Sequence, residues 1–218
     1  MTTKAQPTIT LTGNEDPYDL MLLAMETCNE ADLALLAVSN FDTVRVRVAQ
    51  NAHTNRDTLT LLAEDKDEYV RFNVAANINT PADTLTLLAK DRKAVVRDLA
   101  VNNPNCPADI LLLFAANGSR YARAAVAGNP AALPEVLFIL FSDRYWQTRQ
   151  EVAAHPNTHI SLVIHMLNDR SSAVRDVARE ALTTRPTADL VEALNPTYPE
   201  ATPEMPREWL LSLLTIPV

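Results

Sequence analysis

The stretch NTPADTLTLLAKDRKAVVRDLAVN, residues 79–102, carries two short helical patterns joined by a turn. In the first, Leu85, Leu88 and Ala89 fall on one side at helical spacing, and in the second Val96 and Ala100 do the same. The frame recurs along the chain. Arg45, Arg71, Arg97, Arg123, Arg149 and Arg175 follow one another at intervals of 26 residues, with no insertion or deletion. A chain of that period stacks its units and buries its core between neighbours. The long flanks left over suit large partners better than small substrates.

Aligned on this period, the first helix of each unit repeats an apolar face: Leu59, Leu62 and Ala63; Leu85, Leu88 and Ala89; Leu111, Phe114 and Ala115; Leu137, Leu140 and Phe141. Thr80 is expected as its N-cap, with Pro81 at the first helical position and Asp83 in the first turn. The second helix repeats Val44 and Val48, Val70 and Val74, Val96 and Ala100, Ala122 and Val126, Thr148 and Val152, Val174 and Ala178. It stops near Asn51, Asn77, Asn103, Asn129 and His155, where asparagine is expected to adopt a left-handed backbone before a proline at 104, 130 or 156. The expected fold is all-α, a right-handed superhelical solenoid of about seven 26-residue, two-helix repeats.

The stretch LLAEDKDEYVRFNVAANINTPADTLTLLAKD, residues 61–91, resembles the leucine-rich repeat variant family, whose units read Asp-turn-Val-Arg-x-x-Val-Ala-x-Asn-x-x-Thr-Pro and are themselves similar to HEAT repeats. The likeness runs over about residues 38 to 182. It implies a right-handed superhelix of paired short helices, one α and the other α or 3₁₀. Some members carry an N-terminal cysteine cluster for an iron–sulfur centre. Here only Cys28 lies near the N-terminus, so that cofactor is not carried over and none is expected.

Residues 1–15 read as a flexible tail, 16–194 as the solenoid with 16–40 its N-terminal cap repeat, 195–206 as a Pro-rich linker, and 207–218 as an apolar C-terminal helix. Trp209, Leu210, Leu211, Leu213 and Leu214 require burial, either as a cap over the last repeat or in the groove of this or a neighbouring chain.

Net charge is −8, from 27 acids and 19 bases. No extended region has a clear excess of bases: residues 41–117 hold ten acids and nine bases, and 118–194 hold eight of each. General affinity for nucleic acid or anionic lipid, which cations drive by displacing counterions, is disfavoured. The N-terminus lacks an apolar leader core and no run reaches the roughly 18 apolar residues of a membrane span, so the expected compartment is cytoplasmic, without membrane attachment. Cys28 and Cys106 are 78 residues apart, the same position in two different repeats. They are expected as free thiols, too distant for a disulfide.

The arginine ladder is accompanied, six residues upstream, by Ser39, Asp65, Asp91, Asn117, Asp143 and Asp169. A guanidinium beside a carboxylate in a partly buried turn gains charge-assisted hydrogen bonds, so the ladder is expected as a structural seam between repeats rather than a row of phosphate hooks. His155 takes the helix-ending asparagine position, His159 lies near the next helix start, and His165 replaces Leu61, Leu87, Leu113 and Ile139 in its column. With His53 they match no zinc spacing, and no metal site is expected. Nucleophile elbow, HExxH, CxxC and glycine-rich phosphate loop are all missing from the sequence, so no catalytic residue is assigned.

Two surfaces remain. On the second helices, the outward positions include Val46, Tyr69, Phe72, Val95, Asp98, Asn102, Tyr121, Gln147 and Gln150. An exposed apolar strip of this kind marks a partner site for an amphipathic helix or extended peptide, unless Phe72 and Tyr121 fill gaps between helices. The function expected is therefore that of a non-enzymatic adaptor, scaffold or inhibitor whose partner is another protein. The alternative is a HEAT-like protein binding nucleic acid or phosphate along a basic edge of turns, Lys66, Arg92, Arg120, Arg144 and Arg170. No oligomeric state follows from these features.

Overall fold

The computed structural model describes residues 8–11 and 15–214. Within them the chain is all-helical, and it divides into two compact units, Met1–Leu111 and Leu112–Val218. The first unit holds α1 (Pro17–Glu26), α2 (Glu30–Leu36), α3 (Asp42–Gln50), α4 (Arg56–Leu62), α5 (Glu68–Ala76), α6 (Ala82–Leu88) and α7 (Ala94–Asn102). Helix α8 (Ala108–Asn117) runs across the division. The second unit continues with α9 (Arg120–Gly128), α10 (Pro134–Leu140), α11 (Trp146–Ala154), α12 (Ile160–Met166), α13 (Ser172–Thr184), α14 (Thr187–Leu194) and α15 (Arg207–Leu214). Both helices of a repeat are α-helical, so the 3₁₀ alternative is not taken.

Each unit is a run of stacked repeats. Second helices lie side by side, α1 on α3, α3 on α5 and α5 on α7 in one unit, α9 on α11 and α11 on α13 in the other. First helices lean on the second helix of their own repeat, as α4 does on α5 and α12 on α13. The apolar columns explain the arrangement: Leu59, Leu62, Leu85, Leu88, Leu111, Leu137 and Leu140 are almost wholly buried, as are Val44, Val48, Val70, Val74, Val96 and Val126. Each such side chain contributes roughly 1.5–3 kcal/mol when removed from water. The alanines beside them, Ala49, Ala75, Ala127 and Ala153, are buried too and let neighbouring helices approach.

Three local expectations are corrected. Thr80 is not the N-cap of α6, a place Pro81 occupies without a side-chain bond. Instead its buried hydroxyl donates to the Val74 carbonyl at 2.5 Å, and Thr54 and Thr158 do the same to Val48 and Val152 at 2.5 Å. The threonine therefore closes the preceding helix, whose last carbonyls have no intrahelical partner.

The asparagines that end the second helices do not turn left-handed. Asn51, Asn77 and Asn103 have φ of −68°, −71° and −68° with extended ψ. Their role is lateral. The Asn77 amide donates to Ala49 O at 2.8 Å and Asn51 O at 3.1 Å in the preceding repeat, and the Asn103 amide to Ala75 O at 2.8 Å and Asn77 O at 2.9 Å. Each side-chain oxygen accepts the N–H two residues on, as Asn77 does from Asn79 at 2.9 Å. Buried amides thus satisfy carbonyls that a neighbouring helix end leaves open.

The arginine seam is wired differently from its sequence reading. The carboxylate six residues upstream does not face the arginine of its own repeat. Arg71 donates from Nη1 to the Asp65 backbone carbonyl at 2.7 Å, and from Nε and Nη2 to the carboxylate of Asp91 at 2.6 and 3.2 Å. Arg45 with Asp65, Arg123 with Asp143 and Arg149 with Asp169 form the same bidentate clasp across 20 residues. Burial pushes the Asp65, Asp91 and Asp143 carboxyls up, but the arginine and backbone donors outweigh it and hold all three below the usual carboxylate range.

At the N-terminal end, Asp32 is buried and accepts from the Thr8 N–H and hydroxyl at 2.6 and 2.5 Å, which ties part of the expected tail to α2. Residues 1–7 and 12–14 of that tail lie outside the described residues. At the C-terminal end, Leu210 of α15 packs with Leu194 of α14 and Ala201, joined by Tyr198 and Met205 from the expected linker. Residues 215–218 lie outside the described residues.

Candidate functional site

The second-helix strip follows from the buried positions. In the first unit, with Val70 and Val74 facing inward, Tyr69 is turned out and 67% exposed, and Val95 is 57% exposed. Asn102 is exposed, while Val46, Phe72 and Asp98 are half-buried. Phe72 thus has one side against its neighbours and one toward water. The strip is braced by amides: Asn73 donates to Tyr69 O at 2.7 Å, and Gln50 of the preceding repeat donates to Asn73 at 2.9 Å. In the second unit Tyr121 and Gln147 are exposed and Gln150 is half-buried.

The basic edge is exposed at Lys66, Arg92, Arg120, Arg144 and Arg170. Within it, Arg92 donates to Lys66 O at 3.2 Å and Arg170 to Arg144 O at 2.8 Å, each reaching back one repeat. In the second unit the edge and the strip meet. The Arg120 guanidinium donates to the Tyr121 hydroxyl and lies 4.5 Å from that ring's centroid. It is also 5.7 Å from the Tyr145 ring, over which Arg144 lies at 4.8 Å. Guanidinium groups resting on aromatic faces are held in place while their outer N–H donors stay open to water.

His155 and His159 act at helix ends. Nε2 of His155 lies 2.9 Å from Asn129 O, and its Nδ1 accepts the Asn157 N–H at 3.1 Å, which fixes the neutral tautomer with the proton on Nε2. Burial lowers its pKa, reinforced by the Arg185 charge and opposed by the bond to Asn129. His159 N-caps α12 by accepting from Ser161 N, and His165 sets its ring edge-on to Phe141 at 5.7 Å. Among the described residues no group of three or more His, Cys, Asp or Glu converges as a metal site would require, and no helix is long and apolar enough to cross a membrane. Cys28 is exposed and Cys106 buried, both free; burial, with Asp109 nearby, pushes the Cys106 thiol up to about 12. A depression of about 530 Å³ beside α2 and α4 is lined by Glu30, Ala34, Asn55, Arg56 and Asp57 among others, with no histidine or cysteine.

In each unit an outward face of the first helices escaped the sequence reading. On the first helices Leu61, Leu87, Leu113 and Ile139 are 56%, 44%, 51% and 42% exposed, in the column that His165 continues. Next to it in the second unit, Leu112 and Phe138 are 44% and 62% exposed. The signal was available: position 61 lies two residues after the buried Leu59, about 200° around a helix, and so points away from the core.

No family model matches the sequence, and no curated protein matches it. Among solved structures it is similar to one described as a leucine-rich repeat variant with a novel repetitive protein structural motif, at 23% identity and a TM-score of 0.53, covering 91% of this chain and 81% of that one. It also matches the X-ray structure of YibA from E. coli, at 17% identity and a TM-score of 0.46, covering 85% and 81% of the two chains. The first of these likenesses, together with the stacked helix pairs of each unit, shows the fold: an all-helical array of repeats, similar to that of the leucine-rich repeat variant structure.

Proposed function

We propose that the chain is a non-enzymatic protein-interaction module, acting as adaptor, scaffold or inhibitor, and that its partner docks on the outward side of the second helices. The observation that carries this is the exposure of Tyr69 and Val95 beside half-buried Phe72 on adjacent helices of one unit. Large apolar side chains held out from a rigid stack cost solubility unless something covers them. Val46, Asp98 and Asn102 extend the surface on the same unit, and Tyr121, Gln147 and Gln150 supply a second patch on the other. The acidic composition fits a cytoplasmic setting. Replacing Tyr69, Phe72 and Val95 together by serine tests the reading: folding by circular dichroism is expected to persist while a partner captured and cross-linked by the wild-type protein in host lysate is lost. Persistence of that cross-link overturns it.

The stacking of Arg120 on Tyr121 and Arg144 on Tyr145 favours a second reading for the basic edge, contact with phosphate or nucleic acid. Base rings and phosphates use such cation–aromatic surfaces. A salt titration with DNA and RNA decides it, because binding that survives at ~150 mM salt requires many phosphate contacts.

A further inference from the structure

The outer face of the first helices in the second unit carries more apolar surface than the fold requires. Position 60 of the repeat is Thr60 in α4 and Thr86 in α6; both hydroxyls bond their own helix, to Arg56 O at 2.9 Å and Ala82 O at 3.0 Å, and that of Thr60 also meets the Thr84 hydroxyl of α6 at 2.8 Å. The stack is complete with threonine there. At the same position the second unit has Leu112, Phe138 and Ile164. Beside them stand Leu113, Ile139 and His165, with the Phe138 ring stacked on Phe141 at 5.9 Å. The internal repeats act as a control: with Thr60 and Thr86 at this position the helices stack without an apolar side chain there, and an exposed apolar patch of this kind marks a contact surface.

The charges bordering the patch say what covers it. Exposed Glu135 lies at the N-terminal end of α10, and exposed Arg144 and Arg170 follow the C-terminal ends of α10 and α12. Among the described residues none of the three is in an ion pair, and the apolar band between the two borders holds no acid. An acid border, an uncharged centre and a basic border are self-complementary under a two-fold rotation through the centre, which sets each border against its opposite. The uncharged centre also lets two chains of net charge −8 meet with little repulsion. We propose that this face docks on the same face of a second copy of the chain, with Phe138 and Ile139 at the centre and Glu135 opposite Arg144 and Arg170 of the other copy.

Sedimentation equilibrium of the full chain is the test. A reversible dimer is expected in the wild type; Phe138→Thr, which the same position tolerates in two other repeats, is expected to weaken it by at least about tenfold with folding retained by circular dichroism. Glu135→Arg alone and Arg144→Glu with Arg170→Glu are each expected to weaken it, and the triple charge exchange to recover it. A wild-type protein that stays monomeric at ~100 μM, a Phe138→Thr dimer of unchanged strength, or a triple exchange without recovery overturns the proposal. The second-helix reading stands or falls separately, since Tyr69, Phe72 and Val95 are untouched by these variants.

Discussion

Arg71 and Asp91 stand 20 residues apart in successive repeats and share two hydrogen bonds, at 2.6 and 3.2 Å, with only 6% and 7% of their side-chain surfaces exposed. The third donor of the guanidinium goes to the Asp65 carbonyl, so one side chain ties the turn of its own repeat to the turn of the next. Truncating either partner leaves a buried charge alone. Arg71→Ala is expected to destabilise the fold by about 3–5 kcal/mol, and the paired change Arg71→Met with Asp91→Leu to recover much of that loss, measured by urea unfolding.

Stability responds to acid in two stages. His155 is buried neutral with its pKa lowered, so the unfolded chain takes up its proton first as pH falls. The stabilisation it provides is full above the ordinary histidine value near 6.5 and declines as pH drops through the lowered folded value. His155→Asn restores the residue type of the other repeats and is expected to flatten this first stage in a pH series of melting curves. The second stage belongs to Asp65, Asp91, Asp143 and Asp169, all held below 3.8, whose contribution is present above that value and lost below it.

Thr148 occupies a position that is valine in Val44, Val70, Val96 and Val174, and its hydroxyl is buried without a hydrogen-bond partner. The side chain has the shape of valine and carries the cost of an unsatisfied polar atom. Thr148→Val is expected to raise stability by about 1–3 kcal/mol, read as a higher melting temperature with unchanged helicity.

The two thiols are expected to react at very different rates. Cys28 is exposed, whereas Cys106 is buried with its thiol pushed up to about 12. A thiol reagent at neutral pH should modify one cysteine in the native protein and the second only as fast as the chain opens. Rapid modification of both would contradict the packing of Cys106 in the threonine position of its repeat.

The architecture was legible because period and patterning are local properties. Leu59 and Leu62, or Val70 and Val74, can be assigned to the core from spacing alone. The wiring between repeats was not legible in the same way, because Asp65 and Asp91 stand equally well in register with Arg71 and only the stacking geometry decides which carboxylate it meets. The same holds for Asn77, whose amide reaches back 26 and 28 residues to carbonyls that its own helix does not need. The outward orientation of Tyr69 and Val95 was legible from the angle each makes with the buried valines of its helix. The first-helix surface at Leu113 and Phe138 was passed over, since leucine in a leucine-rich unit reads as core until its angle around the helix is worked out.

The clasp between Arg71 and Asp91 also limits how such a chain can change length. Arg45, Arg71 and Arg149 each hold their own repeat at the carbonyl six residues back and the following repeat at the carboxylate 20 residues ahead, and Arg123 does so from the carbonyl five residues back. Arg97 and Arg175 bond the carbonyl six residues back, with asparagine 20 residues ahead. Adding or removing a whole unit of 26 residues brings each hook to an equivalent eye. Any other insertion within a clasped pair moves an arginine away from its acid and strands both in the interior, which makes growth by complete units the cheap route wherever the clasp is present.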